Sequence, residues 1–136
     1  MWNEKSKALI AGLAAALGIP GLPPDATGGI RLTVGEATDV YLYAGDDDAL
    51  LIVAPVGPMP RTPEYGLAVY LLRANMFDSD LAPFHIGIDQ AGTLVMWGRA
   101  PVADFDGPKL AALVDAVAER VEDIRVEVMG EEEPAG

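Results

Sequence analysis

Leu9, Leu13 and Leu17 recur at i, i+4 and i+8 with Ile10 and Ala16 alongside, so the first apolar run of the chain has helical periodicity. Gly18 and Pro20 end it, because glycine accepts a left-handed cap and proline cannot continue a helix. Gly21 to Gly29 is rich in proline and glycine and reads as a loop. The period then changes from helical to two: Ile30, Leu32 and Val34 alternate with Arg31 and Thr33, the pattern of a half-buried strand. Gly35-Glu36-Ala37 turns the chain into Val40 to Tyr43, and Gly45-Asp46-Asp47-Asp48 turns it again into Leu50 to Val53. Three antiparallel strands in a meander follow.

Thr62-Pro63 offers an N-cap followed by proline at the first helical position, so a second helix is predicted from about Pro63. Its body, Tyr65 to Phe77, is apolar almost all round, more than one small core can cover, and one of its faces is expected to meet another subunit. Phe84, Ile86 and Ile88 alternate with His85 and Gly87, Asp89-Gln90-Ala91-Gly92 makes a turn, and Thr93 to Trp97 completes a second hairpin. Asp106 or Gly107-Pro108 opens the last helix, in which Leu110, Leu113, Val114, Val117, Val121 and Ile124 form one stripe and Asp115, Glu119 and Glu122 the other side. The order is α-β-β-β-α-β-β-α, an α+β fold with antiparallel sheet. Residues 1–129 are expected to form a single domain and 130–136, with Glu131-Glu132-Glu133, a disordered acidic tail.

Composition narrows the function. The chain has 136 residues, 51% of them apolar, enough for one domain with a core of its own. Nine Lys and Arg against 21 Asp and Glu leave a formal charge of −12, which sets the molecular field against nucleic acid and anionic lipid. Two lysines precede Leu9 to Leu17, but that run is short and Ala-rich and lacks a small-x-small cleavage pattern, so it predicts an amphipathic helix rather than a signal peptide. No apolar run approaches the ~20 residues of a membrane span. The absence of cysteine removes disulfides, thiolate metal sites and thiol nucleophiles, and fits a reducing compartment.

Candidate chemistry is sparse. His85 is the only histidine, and it falls on the polar side of a strand whose other side is Phe84, Ile86 and Ile88. Asp46-Asp47-Asp48 lacks the alternating ligands and distal Glu of a calcium loop and reads as a solvated turn. Asp78, Asp80, Asp89, Asp104 and Asp106 stand at turn or cap positions, and the sequence singles out no acid pair among them. No phosphate-binding glycine motif leads from a strand into a helix. No catalytic residue, metal or cofactor is assigned. Trp2, Tyr41, Tyr43 and Trp97 are amphipathic aromatics of the kind frequent at interfaces as well as in cores.

Tyr70-Leu71-Leu72-Arg73-Ala74-Asn75-Met76-Phe77, followed by Gly87-Ile88-Asp89-Gln90-Ala91-Gly92-Thr93-Leu94-Val95-Met96-Trp97, resembles the class I type III secretion chaperones of the Tir chaperone-like (CesT/SycE-type) family. These read as an "LLxAN" helix end, a "GLDxxGxLxLW"-like hairpin and an acidic amphipathic last helix. The resemblance implies a small, acidic, non-catalytic homodimer of the bacterial cytoplasm that binds the N-terminal chaperone-binding segment of a secreted effector, keeps it non-globular and delivers it to the secretion apparatus. It implies a dimer seam on the second helix and the strand after it, here Leu67, Tyr70, Leu71, Ala74, Phe77, Phe84, Ile86 and Ile88. Client contacts are expected on the first helix and sheet, at Trp2, Leu9, Leu13, Leu32, Val34, Tyr41 and Tyr43. The Ala-rich first helix and the Gly21 to Gly29 loop depart from the family pattern. Two rival readings are a YbjN-like regulatory protein of similar layout without a secretion role, and a small carboxylate-dependent enzyme.

Overall fold

The computed structural model describes residues 2–35, 37–45, 48–60, 65–76, 78–79 and 84–129. The first helix, α1 (Glu4–Leu17), starts from a reciprocal cap. The Asn3 side chain accepts from the Ser6 amide at 2.9 Å and the Ser6 hydroxyl accepts from the Asn3 amide at 2.9 Å, so two donors that a helix start would orphan are paired. Gly18 ends α1 at φ 74°, the left-handed cap expected of Gly18-Ile19-Pro20.

The meander forms as β1 (Ile30–Val34), β2 (Thr38–Ala44) and β3 (Ala49–Pro58), and the second hairpin as β4 (His85–Ile88) and β5 (Thr93–Pro101). β3 pairs antiparallel with β5, which joins the two hairpins into one sheet of order β1-β2-β3-β5-β4. Both central strands outrun their apolar cores. β3 continues through Pro55 and Pro58 because the register shifts between Pro55 and Gly57, a bulge at which proline's missing donor does no harm. Arg125 serves the carbonyls there, its guanidinium donating to Val56 O at 2.6 Å and to Pro55 O at 3.4 Å. The same guanidinium holds Glu122 at 2.9 Å, and Glu122 accepts from the buried Thr38 hydroxyl at 2.6 Å. A buried polar side chain is thereby satisfied by the last helix.

The second helix, α2 (Tyr65–Ala74), lies between β3 and β4 in the chain, and α3 (Gly107–Met129) follows β5 after a short 3-10 turn at Val102–Asp104. Asp106 caps α3, its carboxylate accepting from the Lys109 amide at 2.8 Å. Leu110, Val114, Val117, Val121, Ile124 and Val128 are buried along the helix, each contributing roughly 1.5–3 kcal/mol by leaving water. They cover the inner side chains of the sheet, among them Val40, Leu42, Leu50, Ile52, Leu94 and Met96, while Leu113 is only half-buried. α1 packs on α3, and the approach is close: a Cβ on Gly107 would run into the carbonyl of Gly12. Among the described residues no helix is long and apolar enough to cross a membrane. The predicted start of the second helix at Thr62-Pro63, the Asp46-Asp47 part of the acidic turn and the 130–136 tail lie outside the described residues.

Candidate functional site

The strand order makes β1 and β4 the two edges of the sheet. They are treated differently. The β4 edge is met by Asn75, just past α2: its Nδ2 donates to Ile86 O at 3.0 Å and its Oδ1 accepts from Ile86 N at 2.7 Å. One side-chain amide thus stands in for a strand and occupies both backbone groups of Ile86. β1 pairs with β2 along its whole length, and among the described residues no strand lies on its other side.

Two apolar clefts flank β1 on the side of α1. The larger, about 530 Å³, is lined by the buried Ile10, Ala14 and Ile30, by Ile19, Pro20, Leu22 and Pro23 of the loop after α1, and by Trp2 and Lys7. The smaller, about 190 Å³, lies towards the other end of β1 between Leu13, Leu17, Leu32, Val34, Ala111 and Val114, with Thr33 and Asp115 also in its lining. Strand alternation explains why Ile30, Leu32 and Val34 point to these clefts while Arg31 and Thr33 face away.

The loop after α1 is built by its own hydrogen bonds. The Asp25 carboxylate accepts from the Thr27 hydroxyl at 2.6 Å, the Thr27 amide at 2.8 Å and the Gly29 amide at 3.3 Å, and Gly28 sits at φ 87°. The Thr27 hydroxyl and amide, which bond to the charged form, hold the Asp25 carboxyl below its ordinary value. The Trp2 indole N–H donates to Gly28 O at 2.8 Å and ties the chain's start to this loop. Tyr43 packs against Gly29 so closely that a Cβ there would meet its ring.

On the face of the sheet away from the helices, Arg31, Tyr41, Val53, Trp97 and His85 form one cross-strand row. Tyr41 and Tyr43 stack with centroids 6.4 Å apart, and the exposed His85 ring tilts against Trp97 at 5.0 Å. Asp89 is a turn former: its carboxylate accepts from the Ala91 and Thr93 amides at 2.9 and 3.0 Å.

α2 has no buried residue, and its two sides differ. Leu67, Leu71 and Ala74 lean on the protein's own core, and Tyr70 sits in a cleft with Arg73, Arg120, Asp123 and Ile124. Burial, then the Glu127 and Asp123 carboxylates, push the Tyr70 phenol above its ordinary value. The outward positions are Tyr65, the half-buried Val69 and Leu72, at i, i+4 and i+7, and Met76 follows just past the end of the helix; Tyr65 is 85%, Leu72 71% and Met76 51% exposed.

The residues expected at a dimer seam or a client contact differ in burial within the single chain. Leu9 and Leu13 were expected to meet a client, but Leu13 is 0% exposed and Leu9 is buried beside it, because the alanine-rich helix has few other large side chains to give the core. Phe84 and Ile86 were expected at a dimer seam; both are buried in the monomer, Phe84 over Gly98, where a side chain would collide with its ring. Leu67, Leu71 and Ala74 are half-buried against the core and keep some surface, and the more exposed apolar side chains of this segment are Tyr65, Leu72 and Met76. Ile88 stays 55% exposed at the end of β4, and Phe77 lies outside the described residues. Trp2, Leu32, Val34, Tyr41 and Tyr43 keep accessible surface, the first three around the clefts and the tyrosines on the other face of the sheet. Sequence reasoning missed Ile19, Pro20, Leu22 and Pro23 as a cleft wall, since they read as a connecting loop, and it missed the pairing role of Asn75.

The sequence matches the Tir chaperone protein (CesT) family over residues 8–125. Comparison with curated protein sequences found no match. Among solved structures, the fold is similar to a chain of the heterodimeric ExoU–SpcU complex from the type III secretion system of Pseudomonas aeruginosa, with TM-score 0.73, 27% identity and coverage of 88% of this chain and 97% of that one. It is also similar to a chain in the complex of the Yersinia pestis type III secretion chaperone SycH with a stable fragment of YscM2, with TM-score 0.73, 17% identity and coverage of 87% and 98%. A third likeness is to the HopA1–SchA chaperone–effector complex, with TM-score 0.72, 18% identity and coverage of 89% and 93%. The match spans most of the chain and the fold agrees with it: the chain belongs to the Tir chaperone protein (CesT) family, the effector-binding chaperones of type III secretion.

Proposed function

We propose that this chaperone works in the bacterial cytoplasm, that it binds the N-terminal chaperone-binding segment of a secreted effector by strand addition to β1, and that it keeps that segment non-globular until it is passed to the secretion apparatus. The observation that carries the reading is the β1 edge, unpaired among the described residues, with a cleft near each end. Ile30 and Val34 are four residues apart, roughly 13 Å along a strand, so a client with apolar side chains at i and i+4 reaches both clefts. Backbone pairing supplies affinity that is indifferent to sequence, and the clefts supply selection. Apolar burial at roughly 25 cal/mol per Å² offsets the entropy of ordering the segment. Side chains on the other face of the added strand run beside Arg31 and towards Tyr41 and Tyr43.

The functional unit is a homodimer through the outward stripe of α2 and Ile88, whose exposed apolar side chains have no cover in the single chain. The role is binding rather than catalysis: the carboxylates of Asp25, Asp89 and Asp106 serve turns and a cap, and His85 lies against an aromatic ring.

Hydrogen exchange tests the reading directly. A client co-purified from the host and re-expressed with this chain slows exchange at 30–34 and leaves β4 unchanged. Protection confined to β4 and α2, with β1 unaltered, overturns strand addition at β1.

A further inference from the structure

The larger β1 cleft has an aromatic side chain in its lining and the smaller one has none. Trp2, tied by its indole N–H to Gly28 O at 2.8 Å, lines it together with the rings of Pro20 and Pro23. The buried residues of the lining, Ile10, Ala14 and Ile30, are aliphatic. At about 530 Å³ the cleft exceeds what one short aliphatic side chain fills and lies within the range of ligand-sized pockets. We propose that Trp2 is a specificity-determining residue, which selects an aromatic anchor in the client strand at the position beside Ile30. This inference rests on strand addition to β1 as the binding mode.

The physical basis is the ring quadrupole. An aromatic anchor entering from β1 meets the face or edge of the Trp2 indole and the flat C–H surfaces of the prolines, whereas a leucine meets them only by dispersion. Offset or edge-to-face aromatic pairs add a preference of about 2- to 10-fold beyond area burial. The smaller cleft, lined by Leu13, Leu17, Ala111 and Val114 with Thr33 and Asp115 beside them, has no aromatic partner to offer. Trp2 is suited to the role because it precedes α1, so its ring is fixed by the Gly28 bond and by packing on the core edge while one side remains open.

The test is a double-mutant cycle with synthetic peptides of sequence KTXTVTXTK, where X is Phe or Leu at both places, so that either strand direction presents X to the larger cleft. Binding is measured by calorimetry with the wild-type chain, Trp2→Leu and Trp2→Phe. The Asn3–Ser6 cap and the buried face of α1 are untouched in both variants, and circular dichroism verifies the fold. The Phe-over-Leu affinity ratio, to which the second X contributes equally in every variant, is expected to fall about 2- to 10-fold from wild type to Trp2→Leu, whereas Trp2→Phe, which keeps a ring but loses the bond to Gly28, retains most of the wild-type ratio. Equal loss of preference in Trp2→Phe and Trp2→Leu, or none in either while all peptides bind, overturns the role of the ring but leaves strand addition standing. If neither peptide binds the wild type, the β1 reading fails and this inference with it.

Discussion

Asn75 does what a whole strand would otherwise do. Its amide pairs with both backbone groups of Ile86 and seals the middle of the β4 edge, so Asn75→Leu leaves an N–H and a C=O without partners and exposes an edge to other chains. Loss of about 1–3 kcal/mol is expected in urea unfolding, with light scattering that rises with protein concentration. An unchanged unfolding midpoint would mean that water replaces Asn75 at no cost. The residue is part of the "LLxAN" resemblance, but only its position against β4 gives it a reason. Two aspartates show the converse. Asp25 and Asp89 each begin a five-residue closed turn with glycine at the fourth place, Gly28 and Gly92 both at φ 87°, and in both turns the first aspartate's carboxylate accepts from the third and fifth amides. That chemistry is local, and for Asp89 the sequence already identified it as a turn.

Among the elements, α2 shows most plainly what periodicity can and cannot say. Its all-round apolarity announced two apolar neighbours, yet the sequence could not say which side belongs to which. The structure turns Leu67, Leu71 and Ala74 to the core and leaves Tyr65, Leu72 and Met76 exposed. Two adjacent substitutions therefore have opposite consequences. Leu72→Asp is expected to yield a folded monomer by light scattering on a sizing column, because the charge enters only the proposed subunit contact. Leu71→Asp is expected to lower the melting temperature, because it puts an unpaired carboxylate against the protein's own core. A Leu72→Asp protein that remains dimeric would exclude the outward stripe as the seam. The strands carry a similar lesson. Val40 to Tyr43 and Ile30 to Val34 were legible from alternation, whereas the full length of β3 was hidden by Pro55 and Pro58, which only the bulge and Arg125 accommodate.

The charge belongs to the whole molecule. At −12 the chain draws basic segments and repels acidic ones, so binding of the lysine-flanked peptide should weaken as salt rises from about 0.1 to 1 M, where the screening length falls from about 10 Å to about 3 Å. The same peptide with glutamines for lysines should show little salt dependence when followed by calorimetry. Equal salt dependence for the two would remove the field from the account of client choice.

The sequence by itself determined the elements, their order and the antiparallel class, because these follow from local periodicity, caps and turns that neighbouring residues impose on one another. It also carried the family resemblance, in the helix end and hairpin from Tyr70 to Trp97. Tertiary structure alone decided which large side chains are left over. α1 has so few of them that Leu9 and Leu13 are drawn into the core, and the accessible apolar surface beside β1 falls instead to Trp2 and the proline loop, which is where we propose the client binds. Burial is a competition across the whole chain, and no local pattern records its outcome.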